Sequence, residues 1–585
     1  MHLSRPELFA KQESRPLIWL SLLCVLAAFF CFWDLRGLGF LDNEGRYAEV
    51  AREMLRTGDW ITPRLNGEVF LNKPPLVFWL TALGFLAGGL TESVRWISGA
   101  ATLATLLVLY DLGHRIWSPR AGLWTAAVYL TSAITVIEAR ILRPEPFLTL
   151  FLCITLWGAV RVSEHQRGRD PGGRFWGPGA LWLGVGLGIM AKGFLSLALP
   201  LIALAPALLL AGQLRKGRCY VPAWGLVLAA ALVLPWHVAA GLRNEGFWWD
   251  YVVNQHFLVF FDRKFPRDHI PDPLWLAWAM FALRLFPWLF LLPAAIRRQF
   301  HRARAARSVT EWLPLTWLGS ISLFFSLSSG RLEHYFIPAV PAAALLVGGY
   351  CDVWARYPGA RTWRRYLPFG SILIVGLAGL ALGPLVLRWT GALTTVPRLL
   401  PLAFTAMGAV TVAGAASTAL IGLRRPVPAL LAVVLSFLVF AGCAAQALGA
   451  INALTSARCV VQRLDPQLVA ESEVAYEAGE EYQLCGVLDF YLRRRVLLPE
   501  PLGFIPPTYL KQYVQRLFED RKQFVREWAR GDRRYLLFTN PEKPLDRAAD
   551  YPQPYYEVAR GGGRQVITNK PLRWEAGALM RGQYP

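Results

Sequence analysis

Apolar residues in this chain come in long blocks, not in alternation. Runs at about 17–33, 93–112, 121–139, 146–163, 179–191, 194–212, 222–242, 274–296, 311–328, 335–350, 367–387, 400–421 and 428–450 are nearly free of charge. A helix of about 20 such residues crosses a ~30 Å hydrocarbon layer, so the pattern predicts thirteen transmembrane helices. The block from Leu76 to Leu90 is short and holds Gly84, Gly88 and Gly89. Loop charge decides how to read it, because short Arg-rich loops face the cytoplasm. If it does not span, the clusters Arg115/Arg120, Arg215/Lys216/Arg218, Arg297/Arg298/Arg302 and Arg424/Arg425 all face inward. If it does span, every one of them is inverted. It is therefore expected to lie in the outer interface, closing an external loop from about Asp34 to Glu92. Arg5, Lys11 and Arg15 precede the first block and no small-residue cleavage site follows it, which reads as an uncleaved first span with the N-terminus in the cytoplasm.

The pattern changes near Ile451, where Asp, Glu, Arg and Gln become frequent. Gly486–Tyr491, Val496–Leu498 and Tyr535–Phe538 read as short strands, and Thr508 to Ala529 as an amphipathic helix. The expected architecture is thus a polytopic α-helical membrane domain over 1–450 and a small α/β domain over 451–585. An odd number of spans puts the second domain outside, on the membrane face opposite the N-terminus.

Composition agrees with this. Of the 585 residues 55% are hydrophobic and 17% charged, against roughly 25% charged in soluble domains. Disorder, a collagen-like fibre and a soluble multidomain enzyme are excluded. The formal charge of +21 is mostly topogenic and does not imply a nucleic-acid partner, since the Arg clusters lack interleaved stacking aromatics. The eight cysteines form no CxxC or metal-ligand spacing. Only Cys459 and Cys485 share a polar region, where a disulfide and two separate thiols are both open.

Ionisable residues within or beside apolar spans are costly and usually functional, and here they gather in the outward loops. The first loop carries Asp42, Asn43, Glu44, Arg46 and Tyr47, with an amphipathic helix expected from Arg46 onward, lying on the membrane surface with Glu49, Arg52 and Glu53 on its polar side. Lys73 stands before Pro74–Pro75, Glu145 between two prolines, Lys192 in a turn between two apolar helices, and Arg331, His334 and Tyr335 in another outward turn. Carboxylates and cations on one membrane face suit a phosphorylated substrate handled with acid/base help. A plain helix cap for Asp42 and Glu44, and snorkelling to lipid phosphate for Lys73, are the structural alternatives. His237, His256 and His269 lie in or near one external loop, but their spacing is irregular for a metal, so no metal ligand is assigned.

Five motifs in order, Asn-Glu-Gly-Arg-Tyr-Ala-Glu to Arg-Glu-Met-Leu (43–55), Asn-Lys-Pro-Pro (72–75), Arg-Pro-Glu-Pro (143–146), Ala-Lys-Gly-Phe (191–194) and Arg-Leu-Glu-His-Tyr-Phe-Ile-Pro (331–338), resemble the bacterial aminoarabinose-transferase branch of the protein O-mannosyltransferase superfamily. These are C-type (GT-C) glycosyltransferases. The resemblance covers about residues 15–450. It implies an inverting transfer from an undecaprenyl (polyprenyl) phosphate sugar to lipid A or another membrane lipid or glycan. It requires no cofactor besides that donor substrate, and a divalent metal stays open. By position it makes a first-loop acid the base, Lys73 and Lys192 phosphate ligands, Arg331 their assistant and Tyr335 an orienting group. The chain departs from the pattern at Asn43, where the family carries Asp. Glu44 is then the first choice of base and Asp42 the second. A second departure is Glu145, where many relatives carry Asp. The competing classes are a non-catalytic binder of lipid-linked sugar and a lipid or sugar transporter. The first would keep its ligand without the acid; the second would show broken helices in two related halves.

Overall fold

The protein is described from a computed structural model covering residues 5–264, 271–356, 365–390, 392–477, 482–499, 519–539, 551–552 and 554–571. It divides into two compact units: Met1–Leu35, Leu71–Lys264 and Ile270–Ala450 form the first, and Arg36–Phe70, Phe265–His269 and Ile451–Pro585 the second. The stretch 36–70 of the expected first loop thus belongs with the C-terminal unit.

In chain order the helices of the membrane part are α1 (Arg5–Phe32), α2 (Asp42–Thr57, in the second unit), α3 (Leu76–Gly88), α4 (Trp96–Ile116), α5 (Pro119–Leu130), α6 (Ala133–Ala139), α7 (Glu145–His165), α8 (Gly173–Lys192), α9 (Leu195–Leu210) and α10 (Ala223–Arg243). A π-helix, Trp249–Leu258, precedes α11 (Leu274–Arg284), α12 (Leu292–Ala306), α13 (Val309–Leu327), α14 (Val340–Arg356), α15 (Leu367–Trp389), α16 (Ala392–Thr395), α17 (Leu399–Gly422) and α18 (Pro426–Thr455). Among the described residues seven helices have the length and composition to cross a membrane. Four shorter apolar helices, Pro16–Phe32, Leu76–Gly88, Leu195–Leu210 and Leu274–Arg284, accompany them. In α15 only 11% of the apolar window is buried within the protein. Ile374, Leu377, Leu382 and Leu385 point outward, a surface that only lipid can cover at this scale.

Two expected spans are broken. The run 121–139 divides at Thr131–Ser132, whose hydroxyls donate to the carbonyls of Ala127 and Val128 while Trp288 donates its indole N–H to Thr131. Such back-bonding competes with the helix ladder. The run 274–296 ends as a helix at Arg284 and resumes at Leu292, with Pro287 in the gap. Glycines set the tightest approaches: a Cβ on Gly158 of α7 would strike the backbone of Gly177 and Leu181 on α8.

In the second unit a mixed sheet runs β3 (Glu473–Tyr476), β4 (Tyr535–Thr539), β6 (Arg564–Thr568), β5 (Tyr556–Gly561) across its width, after a small hairpin of β1 (Arg64–Leu65) and β2 (Glu68–Val69). β3 and β4 are parallel and the remaining pairs antiparallel. Leu497 bridges to Ala475, so the expected strand there is a single bridge. Gly486–Tyr491 is not a strand but part of α21 (Cys485–Leu492), which follows α19 (Ala457–Val461) and α20 (Pro466–Ala470). Its residues from Cys485 to Phe490 are all buried, and the absence of a side chain on Gly486 lets it approach the backbone of Arg46. Of the expected helix at 508–529, Arg521–Arg530 is helical and residues 508–518 lie outside the described set.

The expected start of the first-loop helix and the exposure of its polar side are corrected. α2 begins at Asp42, not after it, and it packs on α21 within the second unit. Its acidic side is turned inward: Glu49 is 1% and Glu53 4% exposed. Arg52 binds Glu49 through two N–H groups at 2.6 and 2.7 Å, and Glu53 accepts the Gly67 N–H at 2.9 Å. Asp489 of α21 is fully buried and neither of its oxygens has a hydrogen-bond partner among the described residues. Burial, with the charges of Glu49 and Glu53, holds its carboxyl well above the usual carboxylate range. The folded unit therefore retains a proton that the unfolded chain releases above pH ~4, and stability must fall as pH rises through that window toward the folded-state value. The melting temperature of the protein should be higher at pH 5 than at pH 7.5, and Asp489→Asn should flatten the difference; an unchanged slope refutes it. The thiol of Cys485 shares this pocket with Asp489, and burial raises it. Cys459 and Cys485 are both free thiols here, not a disulfide.

Candidate active site

In the first unit, the end of the helices carrying the turns 139–145, 192–194 and 331–335 brings four of the expected residues together. Glu145 is the first residue of α7 and Lys192 the last of α8. α7 and α8 pack along their length through small residues, which sets these two ends side by side. Lys192 Nζ donates to Glu145 Oε1 at 2.6 Å, and His334 Nε2 lies 3.3 Å from the same oxygen. The lysine side chain is 11% and the glutamate 5% exposed. Lys192 Nζ also stands over the ring of Tyr335, 5.5 Å from its centre. The second oxygen of Glu145 is buried without a hydrogen-bond partner among the described residues.

The carboxylate and the aromatic face together fix the direction in which this ammonium points. One of its three N–H groups is engaged by Glu145, and an oxyanion is the natural acceptor for the others. Beside it, Arg284 pairs with Glu333 and also donates to the Glu333 carbonyl, while Asp272 accepts the Glu333 N–H at 2.7 Å. These bonds fix the turn that presents His334 and Tyr335. Arg331 reaches the carbonyls of Asp272 and Ser326 at 3.4 Å each, long bonds that tie its guanidinium to the backbone. Lys73 lies on the approach to α3, half-buried.

The remaining candidates lie in the second unit. Asp42 Oδ2 accepts from Arg564 at 2.7 Å, and its side chain is 36% exposed. Glu44 is fully buried and accepts the Leu41 N–H at 2.8 Å, as the third residue of a capped helix does. Asn43 is exposed in the same turn. Arg46 donates to Gln483 at 2.6 Å and lies over the Tyr47 ring.

Sequence reading missed Arg284, Glu333 and Asp272. Arg284 was visible as a charge inside an apolar run, which marks function or a buried partner; Glu333 stood within the 331–338 motif without a role assigned to it, and Asp272 carried no signal. His237 and His256 are engaged in hydrogen bonds to Val233, Tyr251 and Phe194, and His269 lies outside the described residues. Among the described residues no group of three His, Cys, Asp or Glu side chains is arranged to hold a metal ion.

This architecture is the GT-C fold of polytopic membrane glycosyltransferases. The chain shares it with the crystal structures of ArnT from Cupriavidus metallidurans, apo (TM-score 0.76, 23% identity) and bound to undecaprenyl phosphate (TM-score 0.75, 22% identity). Each comparison covers 94% of this chain and 98% of the other. Residues 72–238 match the family model for dolichyl-phosphate-mannose-protein mannosyltransferases. Sequence relatives include the undecaprenyl phosphate-alpha-4-amino-4-deoxy-L-arabinose arabinosyl transferases of Pectobacterium carotovorum (31% identical over 350 residues, 58% of this chain and 61% of that one) and Pseudomonas aeruginosa (31% over 374 residues, 62% and 64%). The matched part of the chain thus spans about three-fifths of the length of these relatives. The resemblance read from the five motifs is the one these comparisons return.

Proposed function

We propose that this protein is an inverting glycosyltransferase that moves a sugar from an undecaprenyl (polyprenyl) phosphate donor to an acceptor at the outer face of the bacterial inner membrane, lipid A or another membrane lipid or glycan. The observation that carries this reading is the Lys192–Glu145–His334 cluster, a nearly buried ammonium aimed by a carboxylate at the end of apolar helices. Its relatives are named for undecaprenyl phosphate-linked sugar. Residues 1–450 would form the catalytic membrane domain and 451–585 a periplasmic domain, with the N-terminus cytoplasmic.

In the reaction an acceptor oxygen forms a bond to the anomeric carbon as the bond from that carbon to the donor phosphate oxygen breaks. Both electrons of the broken bond leave with undecaprenyl phosphate, and the configuration inverts. Charge builds on the departing phosphate, so fixed cations at that place lower the barrier. We assign this to Lys192 and Lys73, with Tyr335 orienting the phosphate and Arg331 and His334 lining its surroundings. A hydroxyl acceptor must also lose a proton, which falls to a first-turn carboxylate of α2. Each carboxylate has one oxygen engaged, but Glu44 is fully buried while the Asp42 side chain is 36% exposed, so Asp42 becomes the more reachable base. Asn43, Arg46 and Tyr47 are assigned to substrate contact beside it.

The test is transfer by the protein reconstituted in lipid with undecaprenyl phosphate-linked sugars and a lipid A acceptor. Mass spectrometry would follow acceptor mass and released undecaprenyl phosphate. Release matched one for one by acceptor gain is expected. Donor binding without release across an acceptor series would instead identify a non-catalytic binder.

A further inference from the structure

The two lysines assigned to the phosphate are far apart in sequence, and each stands on a turn. One short element reaches both turns. Trp249–Leu258 is wound as a π-helix, a rare form that recurs at functional sites. Gln255, buried, donates its amide N–H to Asn72 Oδ1 at 3.0 Å, on the residue before Lys73. The next residue, His256, accepts the Phe194 N–H at Nε2, 3.1 Å away, two residues after Lys192. Its Nδ1–H donates to the Tyr251 carbonyl at 2.6 Å. A ring that accepts at one nitrogen and donates at the other is neutral with its tautomer fixed. Burial agrees, lowering its pKa to about 4 with a further push from the Lys73 charge.

The fit at the second turn is close. Gly193 has φ +80, and a Cβ there would collide with the His256 ring and crowd the Tyr251 hydroxyl. The π-helix is itself anchored. The Tyr251 hydroxyl bonds His237 on α10 at 3.1 Å, and His237 donates its other ring N–H to Val233. Asp250 accepts from Asn254 at 2.7 Å and, more weakly, from Gln255.

We infer that Gln255 and His256, adjacent on this π-helix, are positioning residues that set the spacing of Lys73 and Lys192 for a lipid-linked phosphate. The inference rests on the phosphate-binding reading above. A lysine side chain has a flexible four-carbon stem with many accessible rotamers. Where its ammonium sits is therefore governed first by where its backbone turn is held. Sites of this kind need placement to within ~0.5 Å, and a hydrogen bond to each turn from one rigid element supplies it.

The experiment uses the full chain in lipid nanodiscs. The dissociation constant for undecaprenyl phosphate, the KM for donor and for acceptor, kcat and the melting temperature are measured for Gln255→Leu, His256→Leu, His256→Gln, Gly193→Ala and Lys192→Met. Gln255→Leu, His256→Leu and Gly193→Ala should each weaken undecaprenyl phosphate binding and raise donor KM about tenfold, with acceptor KM within twofold. His256→Gln, whose amide oxygen can accept the Phe194 N–H, should recover most of the loss. Unchanged donor binding in both leucine variants, alongside lost binding in Lys192→Met, overturns the brace and leaves the phosphate reading standing. Unchanged binding in Lys192→Met removes the phosphate reading itself, and the brace with it. If His256→Leu does not fold, Gln255→Leu decides, since its bond is independent. If neither folds, or if donor and acceptor KM rise together, the π-helix is only structural and the inference falls.

Discussion

Lys192→Met will lower transfer by at least ~100-fold and weaken undecaprenyl phosphate binding by a similar factor, the size seen when one fixed donor to a developing oxyanion is removed. The prediction follows from the engagement of Nζ with Glu145, which His334 also approaches, and with the Tyr335 ring at the head of apolar helices. It carries a complication that can be used. Removing the ammonium strands the Glu145 carboxylate, 5% exposed, with His334 as its remaining neighbour among the described partners. Breaking a buried pair from one side costs about 3–5 kcal/mol, so the single variant should also melt earlier. The double variant Glu145→Gln/Lys192→Met carries no stranded charge and should recover most of the melting temperature. Its transfer and donor binding should stay as low as in Lys192→Met. Recovery of activity together with stability would mean that the lysine only neutralises Glu145 and that the phosphate is bound elsewhere. Glu145→Gln alone should fall between the two, because it keeps the cation but loses the group that aims it.

How far the sequence could be read depended on the physics of each segment. Blocks such as 367–387 and 400–421 were legible because length and apolarity alone define a helix in lipid, and α15 and α17 fall where those blocks predicted. Lys192 was legible because an isolated cation between apolar helices has few tolerable surroundings. Glu145 was named from its place between prolines, but its pairing with Lys192 comes from the packing of α7 on α8 and had no sequence signature. α2 misled for a related reason. Its polar residues are spaced as on a surface helix, and the inward turn of Glu49 and Glu53 depends on Arg52 and on α21, far along the chain. The run Gly486–Tyr491 lacked a decisive period because every residue from Gly486 to Phe490 is buried, and such runs fit strand and helix equally. Gln255 escaped, and His256 was weighed only as a metal ligand, because the contacts that join them to the two turns come from tertiary packing and leave no sequence period to detect.

Asp42→Asn is the second large effect, and its size depends on the acceptor. With a hydroxyl acceptor the proton must be removed during attack, and loss of a general base should lower kcat about 10²–10⁴-fold. A phosphate monoester is already largely ionised at neutral pH, its second pKa being near 6. Against such an acceptor Asp42→Asn should cost tenfold or less. The ratio of the two effects therefore reports the chemistry of the acceptor as well as the identity of the base. Arg564 is the control: it binds Asp42 at 2.7 Å and is itself almost fully buried, so Arg564→Lys should shift activity with the same acceptor dependence but less. Glu44→Gln is expected to act differently. Its carboxylate takes the Leu41 N–H within the first turn of α2, a bond that the amide oxygen of glutamine also accepts. Its melting temperature should stay near that of the parent, and kcat within about tenfold of the parent for both acceptors. A loss of 10²-fold or more in Glu44→Gln, with Asp42→Asn near the parent, would return the base to Glu44 and require its buried carboxylate to leave the helix end when substrate binds.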